Sequence, residues 1–184
     1  HARGKQFLYE EGIRIPMIAR FPGGRMAGST RKDLALHIDL APISLAVAGL
    51  HVPEHLHGRN LFAEDYEARP FVVSARDRCD ETIDVIRSVR TPRYKYIRNF
   101  LSYRPHLQHN QYKDGKEIVQ HLRTLHEKEG LTPLQNRMFH PERPPEELYD
   151  LEADPFETTN LAGDPAHDAV LREQRQRLHA WMRE

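Results

Sequence analysis

GKQFLYEEGIRIPMIARFPG, residues Gly4 to Gly23, decides how the rest of the chain is read. Its first half crowds Lys5, Tyr9, Glu10, Glu11 and Arg14 together. Its second half, "IPMIARF" at Ile15–Phe21, is an apolar run closed by Pro22-Gly23-Gly24. Charged and aromatic residues ahead of such a run predict the rim of a site that leads into a largely buried strand ending in a turn. No initiator methionine and no complete first element stand ahead of it in the 184 residues.

Working outward, residues 23–32 are glycine-rich and basic and predict a loop. "IDLAPISLAVAGL" at Ile38–Leu50 predicts a helix, with Asp39 as N-cap, Pro42 in the first turn and Gly49 at the stop. Its apolar residues cover nearly every face, which predicts burial. "FVVSA" at Phe71–Ala75 predicts a second buried strand. Val85–Thr91 and Tyr94–Arg98 alternate apolar with basic residues around Pro92, the pattern of a hairpin with one wet face. Lys116–Lys128 carries Ile118, Val119, Leu122 and Leu125 on one helical stripe, and Gly130 ends it. A short strand follows at 148–151. Residues 166–184 predict an amphipathic helix with Val170, Leu171, Leu178, Trp181 and Met182 on one side. The order points to a piece of a parallel α/β sheet over 1–69 and a smaller antiparallel sheet with helices over 70–184.

Composition narrows the function. Lys+Arg and Asp+Glu are 27 each, so the formal charge is zero and the basic footprint of a nucleic-acid binder is missing. Arginine far outnumbers lysine and there are 12 histidines, a mix suited to binding anionic groups through planar donors. Cys79 is the single cysteine, which excludes an intrachain disulfide and a cysteine zinc cluster. No apolar run is long enough to span a membrane. No basic-then-apolar leader opens the sequence, so a targeting segment is expected to be absent or removed.

Four stretches in order, "GKQFLYEEGIRIPMIARFPG", "HIDLAPISLAVAGLHVPEHLHGRNL", "RSVRTPRYKYIRNF" and "ELYDLEADPFETTNLAGDP", resemble the sulfatases of the alkaline-phosphatase superfamily. "ARDRCDETIDVIRSVR" and "RPHLQHNQYKDGK" resemble most the heparan N-sulfatase type and related carbohydrate sulfatases. The resemblance implies an α/β fold. This chain would be the C-terminal portion of an alkaline-phosphatase-like sandwich, with a small antiparallel sheet packed by a C-terminal helix. It implies hydrolysis of sulfate esters or N-sulfates of a carbohydrate, with a calcium ion and a formylglycine in the full-length enzyme. The Cys/Ser-x-Pro-x-Arg motif that yields formylglycine has no counterpart here, since Cys79 sits in "RDRCDET". Most calcium ligands of the family are also missing. The chain therefore reads as a C-terminal part, inactive and binding neither cofactor alone, whose partner is the N-terminal part of the same sulfatase. A periplasmic or extracellular location follows from the family alone.

By the same resemblance Lys5 reaches the sulfate, where cations offset developing negative charge. Arg3, just ahead of it, would line the sulfate pocket. "ARDRCDE", Ala75–Glu81, follows a buried strand candidate and is read as a loop at a strand end, where α/β enzymes place their sites. Arg76, Asp77 and Arg78 would grip an anionic sugar or, on the alternative reading, form a local ion-pair cluster. "YRPHLQH" at Tyr103–His109 offers His106 and aromatic surface to a sugar; its histidines lack carboxylate or cysteine companions at metal-ligand spacing. Glu10 and Glu11 are read as structural, with Arg14 bridging to a carboxylate. "DLEADPFETTNL" is read as a turn at Asp154-Pro155 and a helix start with Thr158 and Asn160 as local caps, not a calcium loop. Two rival functions stay open: a phosphodiester or phosphonate hydrolase of the same superfamily, and a non-catalytic binding domain derived from a sulfatase tail.

Overall fold

The structure, a computed structural model, describes residues 4–184. They divide into two units, one made of the stretch ending at Ile15 together with Val73–Glu184, the other of Pro16–Val72.

The larger unit is built on a four-stranded sheet ordered β1 (Val72–Cys79), β2 (Thr82–Arg90), β3 (Tyr94–Asn99) and β4 (Glu146–Asp150). The chain order equals the spatial order, so each strand pairs with its successor. Asp80 turns β1 into β2 at a positive φ of 53°, a conformation that aspartate tolerates better than most residues. Thr91 closes the next turn by donating its N–H to the Tyr94 carbonyl at 2.9 Å and accepting the Tyr94 N–H on its hydroxyl at 3.0 Å. The predicted hairpin is present: Val89 lies opposite Tyr96 and Ile86 opposite Asn99 in antiparallel register. β4 continues it with Leu148 opposite Tyr96 and Glu147 opposite Ile97.

Side chains alternate across this sheet, so each face has its own cover. Val89, Tyr96 and Leu148 line up on one face, which α6 (Asp168–Trp181) closes with Leu171, Gln174 and Leu178. Arg175 of that helix grips Glu146, which also accepts the Tyr96 hydroxyl at 2.6 Å. Ile86, Ile97 and Tyr149 face the other way and join Phe7, Leu8, Tyr9, Leu107, Val119 and Met138 in the core. Val119 comes from α4 (Glu117–Glu127), whose end is closed by Gly130 donating to the Leu125 carbonyl at 2.8 Å. The small antiparallel sheet packed by a C-terminal helix is thus as expected. Trp181 and Met182, predicted on the buried stripe, are 40% and 48% exposed, because α6 contacts the sheet only through its middle turns.

The "DLEADPFETTNL" segment is a capped turn. The Asp154 carboxylate accepts the N–H groups of Thr158 and Thr159 at 2.7 and 2.8 Å, and Asn160 accepts those of Leu148 and Ala162.

The smaller unit departs from expectation in two places. Ile15–Phe21 is extended but pairs with no strand among the described residues, and Ile18 is 96% exposed. A strand exists only through a neighbour's hydrogen bonds, and none is offered. The predicted helix is present, as a single 3₁₀ turn at His37–Asp39 running into α2 (Leu40–Val47), and Gly49 ends it at φ 71°. Only Pro42 and Ile43 of α2 are buried, while Leu40, Val47 and Leu50 are exposed. Asp39 stands at the start of α2 as expected, but its side chain caps no N–H of that helix. Buried, it accepts the N–H groups of Leu36 and Arg59 and both guanidinium nitrogens of Arg69, at 2.8 and 2.5 Å.

Candidate functional site

Lys5 stands at the tip of a tight turn, exposed to solvent. The turn is closed by the Phe7 N–H donating to the Gly4 carbonyl at 3.0 Å. Two glycines make it possible. A Cβ on Gly4 would lie 2.7 Å from the Glu11 side chain, and one on Gly12 would lie 2.1 Å from the Phe7 carbonyl oxygen. Behind the tip, Phe7, Leu8 and Tyr9 are buried, so the segment is fixed from the residue after Gln6 onward. Arg3, the other predicted sulfate-pocket residue, lies outside the described residues, as does His1.

The segment is tied down by polar contacts that the sequence did not advertise. The Tyr9 hydroxyl donates to Glu147 at 2.7 Å, and Glu147 also accepts from Tyr149 and Asn99. Burial, with the Glu147 charge beside it, pushes the Tyr9 hydroxyl well above its ordinary pKa, and Tyr149 moves the same way. α1 (Glu10–Ile13) is a single turn. It places Glu10 against the buried Lys95, and the Glu10 N–H donates to Glu157 at 2.6 Å. Burial raises Glu157 above the ordinary carboxylate range despite Lys95. The expected bridge from Arg14 is absent among the described residues. Arg14 instead lines a cleft, because α1 turns Glu10 inward and carries Arg14 outward.

The "ARDR" segment is strand, not loop: β1 continues through Arg76, Asp77 and Arg78 to Cys79. Alternation turns Asp77 to the face opposite Arg76 and Arg78, and Arg78 reaches solvent near the end of the strand. Arg76 is buried, donates to the Gln6 carbonyl at 3.0 Å and lies 4.0 Å from Asp84, which Arg143 also grips. Asp77 is exposed and holds Arg87 at 2.6 Å. Arg78 is exposed and donates to the Asp80 carbonyl at 2.6 Å. Two of the three therefore meet solvent, while the third backs the Lys5 turn.

His106 sits across the core, its ring centroid 6.0 Å from that of Tyr9. Burial lowers its pKa below the ordinary histidine value, so it is a neutral donor–acceptor at pH 7. It lines a cleft of about 820 Å³ with Arg14, Ile118, Leu134, Arg137 and Phe156 among its walls. Such a volume suits a sugar-sized ligand. The structure thus brings His106 to the same cleft as the α1 turn and places Arg76 behind Lys5. Lys95, Glu147, Glu157 and Arg143 were missed. Strand parity was the available signal: Lys95 and Glu147 share a face with Ile97 and Tyr149, the core side.

Among the described residues, no group of three or more His, Cys, Asp or Glu side chains converges as a metal donor set. Calcium takes six to eight oxygens. Cys79 ends β1 beside the Gln6 amide, with its Sγ 3.9 Å from Asp80, and no Pro-x-Arg follows it at the motif spacing in the sequence. The described residues therefore fit neither a calcium site nor a formylglycine. No helix among the described residues is long and apolar enough to cross a membrane.

Residues 3–143 match the family described as N-sulphoglucosamine sulphohydrolase, C-terminal. An ulvan-active sulfatase of Formosa agariphila is 34% identical over 181 residues, covering 98% of this chain and 30% of its own length. A second ulvan-active sulfatase of the same organism is 30% identical over 187 residues, covering 98% of the chain and 35% of its own length. A solved 2-O GAG sulfatase superposes with a TM-score of 0.52 at 27% identity, covering 78% of this chain and 24% of that one. The chain thus spans about a third of the length of these relatives.

Proposed function

We propose, because the chain belongs to the sulfatase family described as N-sulphoglucosamine sulphohydrolase, C-terminal, that it forms the C-terminal part of an enzyme hydrolysing sulfate esters or N-sulfates of a carbohydrate. The observation that carries this reading is the match over residues 3–143, which contains the Lys5 turn and strands β1 to β3. Lys5 brings a cation to the sulfuryl oxygens from a turn too tight to drift, and preorganised charge of this kind stabilises a transition state most. Arg3, outside the described residues, would line the same pocket by the family resemblance alone. Asp77, Arg78 and His106 would meet the sugar.

In this reading calcium and formylglycine come from residues outside these 184, and the N-terminal part of the protein is the chain's partner. The exposed apolar run at Ile15–Phe21 and the exposed side of α2 are surfaces that such a partner would cover. Residues 1–69 would then complete the main α/β domain and 70–184 form the smaller one. A periplasmic or extracellular site of action accompanies this proposal.

The test is sulfate release by the complete protein from sulfated polysaccharides and from an aryl sulfate, with a phosphodiester as control. Release of sulfate supports the reading. Preferential cleavage of the phosphodiester would replace it with the phosphohydrolase alternative, and saccharide binding without turnover would replace it with a non-catalytic domain.

A further inference from the structure

We propose that Arg76 is a positioning residue for Lys5, acting through the main chain of Gln6; the proposal rests on the reading of Lys5 as a sulfate-binding group. Three observations carry it. Gln6, next to Lys5, holds a φ of 87°, in the left-handed region that non-glycine residues rarely enter. A residue stays there only when its surroundings overdetermine it. The surroundings are two side chains of β1, one on the Gln6 main chain and one on its side chain. The Arg76 guanidinium donates to its carbonyl at 3.0 Å, and Cys79 receives its side-chain amide. Arg76 is in turn held from behind. It is 9% exposed and shares the fully buried Asp84 with Arg143, which reaches it from the segment before β4.

The chain Arg143–Asp84–Arg76–Gln6 thus runs from the sheet to the residue adjoining the Lys5 tip. Arg76 is turned toward this backbone and is nearly closed to solvent, so a direct contact with a sugar is not what its geometry offers. Both contacts run from Nη1, at the far end of a long side chain whose charge stays on at any pH of interest. Loss of that hold frees Gln6 to leave the left-handed region, and the Lys5 ammonium moves with it. A displacement on the order of 1 Å in a charge-stabilising group costs about a hundredfold in rate.

The test is a double-mutant cycle in the complete enzyme on an aryl sulfate, a substrate too small to use a sugar-binding wall. Lys5→Ala, Arg76→Met and the double variant are compared by kcat and KM, with thermal melting alongside. Arg76→Met is expected to lower kcat by about ten- to a hundredfold with KM within about twofold. In the Lys5→Ala background it should cost no more than about twofold further, because residues that act as a unit are not additive. Multiplicative losses in the double variant, or wild-type kcat in Arg76→Met, would overturn the proposal and leave the sulfatase reading standing. Wild-type kinetics in Lys5→Ala would remove Lys5 from the pocket and take this proposal with it. If Arg76→Met does not melt cooperatively, Arg76→Lys is read in its place: it keeps the buried charge beside Asp84 and loses the guanidinium that reaches Gln6.

Discussion

Lys95 Nζ lies 2.6 Å from Glu10 Oε1 with none of the lysine side chain exposed, which pins the N-terminal turn to the middle of the sheet. Glu157, from the capped turn after β4, completes the cluster at 3.2 Å. One buried cation therefore joins three segments distant in sequence. Two carboxylates share its charge, and the more buried of them, Glu157, is the one whose ionisation is disfavoured.

Lys95→Met should destabilise the protein by about 3–5 kcal/mol, the cost of taking the cation from the buried Glu157, while Glu10 keeps Arg90 at 3.4 Å. The thioether side chain fills similar volume, so the loss is electrostatic and not a cavity. Chemical denaturation compares the two proteins. A change under about 1 kcal/mol would show that the cluster is solvated in practice and does not hold the turn.

Stability should fall in acid in two stages. Burial depresses the His106 pKa, so the unfolded chain takes up a proton there more readily, and stability is lost as pH drops below about 6.5. The carboxylates follow. Arg175 holds Glu146 and Arg93 holds Asp150 below the ordinary range. For Asp39 and Glu10, burial opposes ionisation, but Arg69 and Lys95 outweigh it. Their contribution is full above the unfolded value of about 4 and disappears as pH falls through the folded ones. Glu157, raised by burial, runs the opposite way: its contribution is lost as pH rises past about 4 toward its folded value. Melting temperature against pH checks this, and His106→Gln should remove the upper stage alone.

Much of the larger unit was legible because alternation is local. The β2–β3 pair, the short β4 strand and the terminal helix all announce themselves within a few residues. The burial of Lys95 was overlooked although its parity matches that of Ile97, since basic residues alternating in a hairpin read as its wet face. Its carboxylate partners sit 85 positions upstream and 62 downstream, as 95 − 10 and 157 − 95. The Ile15–Phe21 run shows the converse. Its apolar pattern is that of a buried strand, but burial is a property of neighbours that these residues do not include. At the site, Lys5 came from a motif, whereas the role of Arg76 needed the fold to reveal which side of β1 it occupies.

Lys5→Ala in the complete enzyme should lower kcat on sulfated substrates by about a hundredfold or more, as loss of a donor to developing charge does elsewhere. Stability should change little, because the side chain is exposed and the turn is held by Gly4, Gly12 and Phe7. The 184 residues alone, lacking a nucleophile motif, should release no sulfate from an aryl sulfate; turnover abolished by Cys79→Ser would reverse that expectation.

Arg78 separates sugar recognition from sulfate chemistry. It is exposed near the end of β1, bonded to the Asp80 carbonyl beside it and close to the exposed Glu81, so among the described residues its removal unpairs no buried charge. Asp77 next to it is already committed to Arg87 at 2.6 Å. If Arg78 meets the sugar, Arg78→Ala should raise KM for a sulfated saccharide by about tenfold, the scale of one charge-assisted contact. On an aryl sulfate the effect should stay within about twofold, because only the saccharide uses binding energy remote from the reacting group. The ion-pair alternative expects equal damage to both substrates and a lowered melting temperature. The exposure of Arg78 argues against a large structural loss, since surface substitutions away from caps and buried networks usually change stability by under about 0.5 kcal/mol. Arg76 should behave in the opposite sense, slowing both substrates alike through kcat. Measuring the two variants side by side on the two substrates therefore tells a residue that touches the sugar from one that holds the lysine.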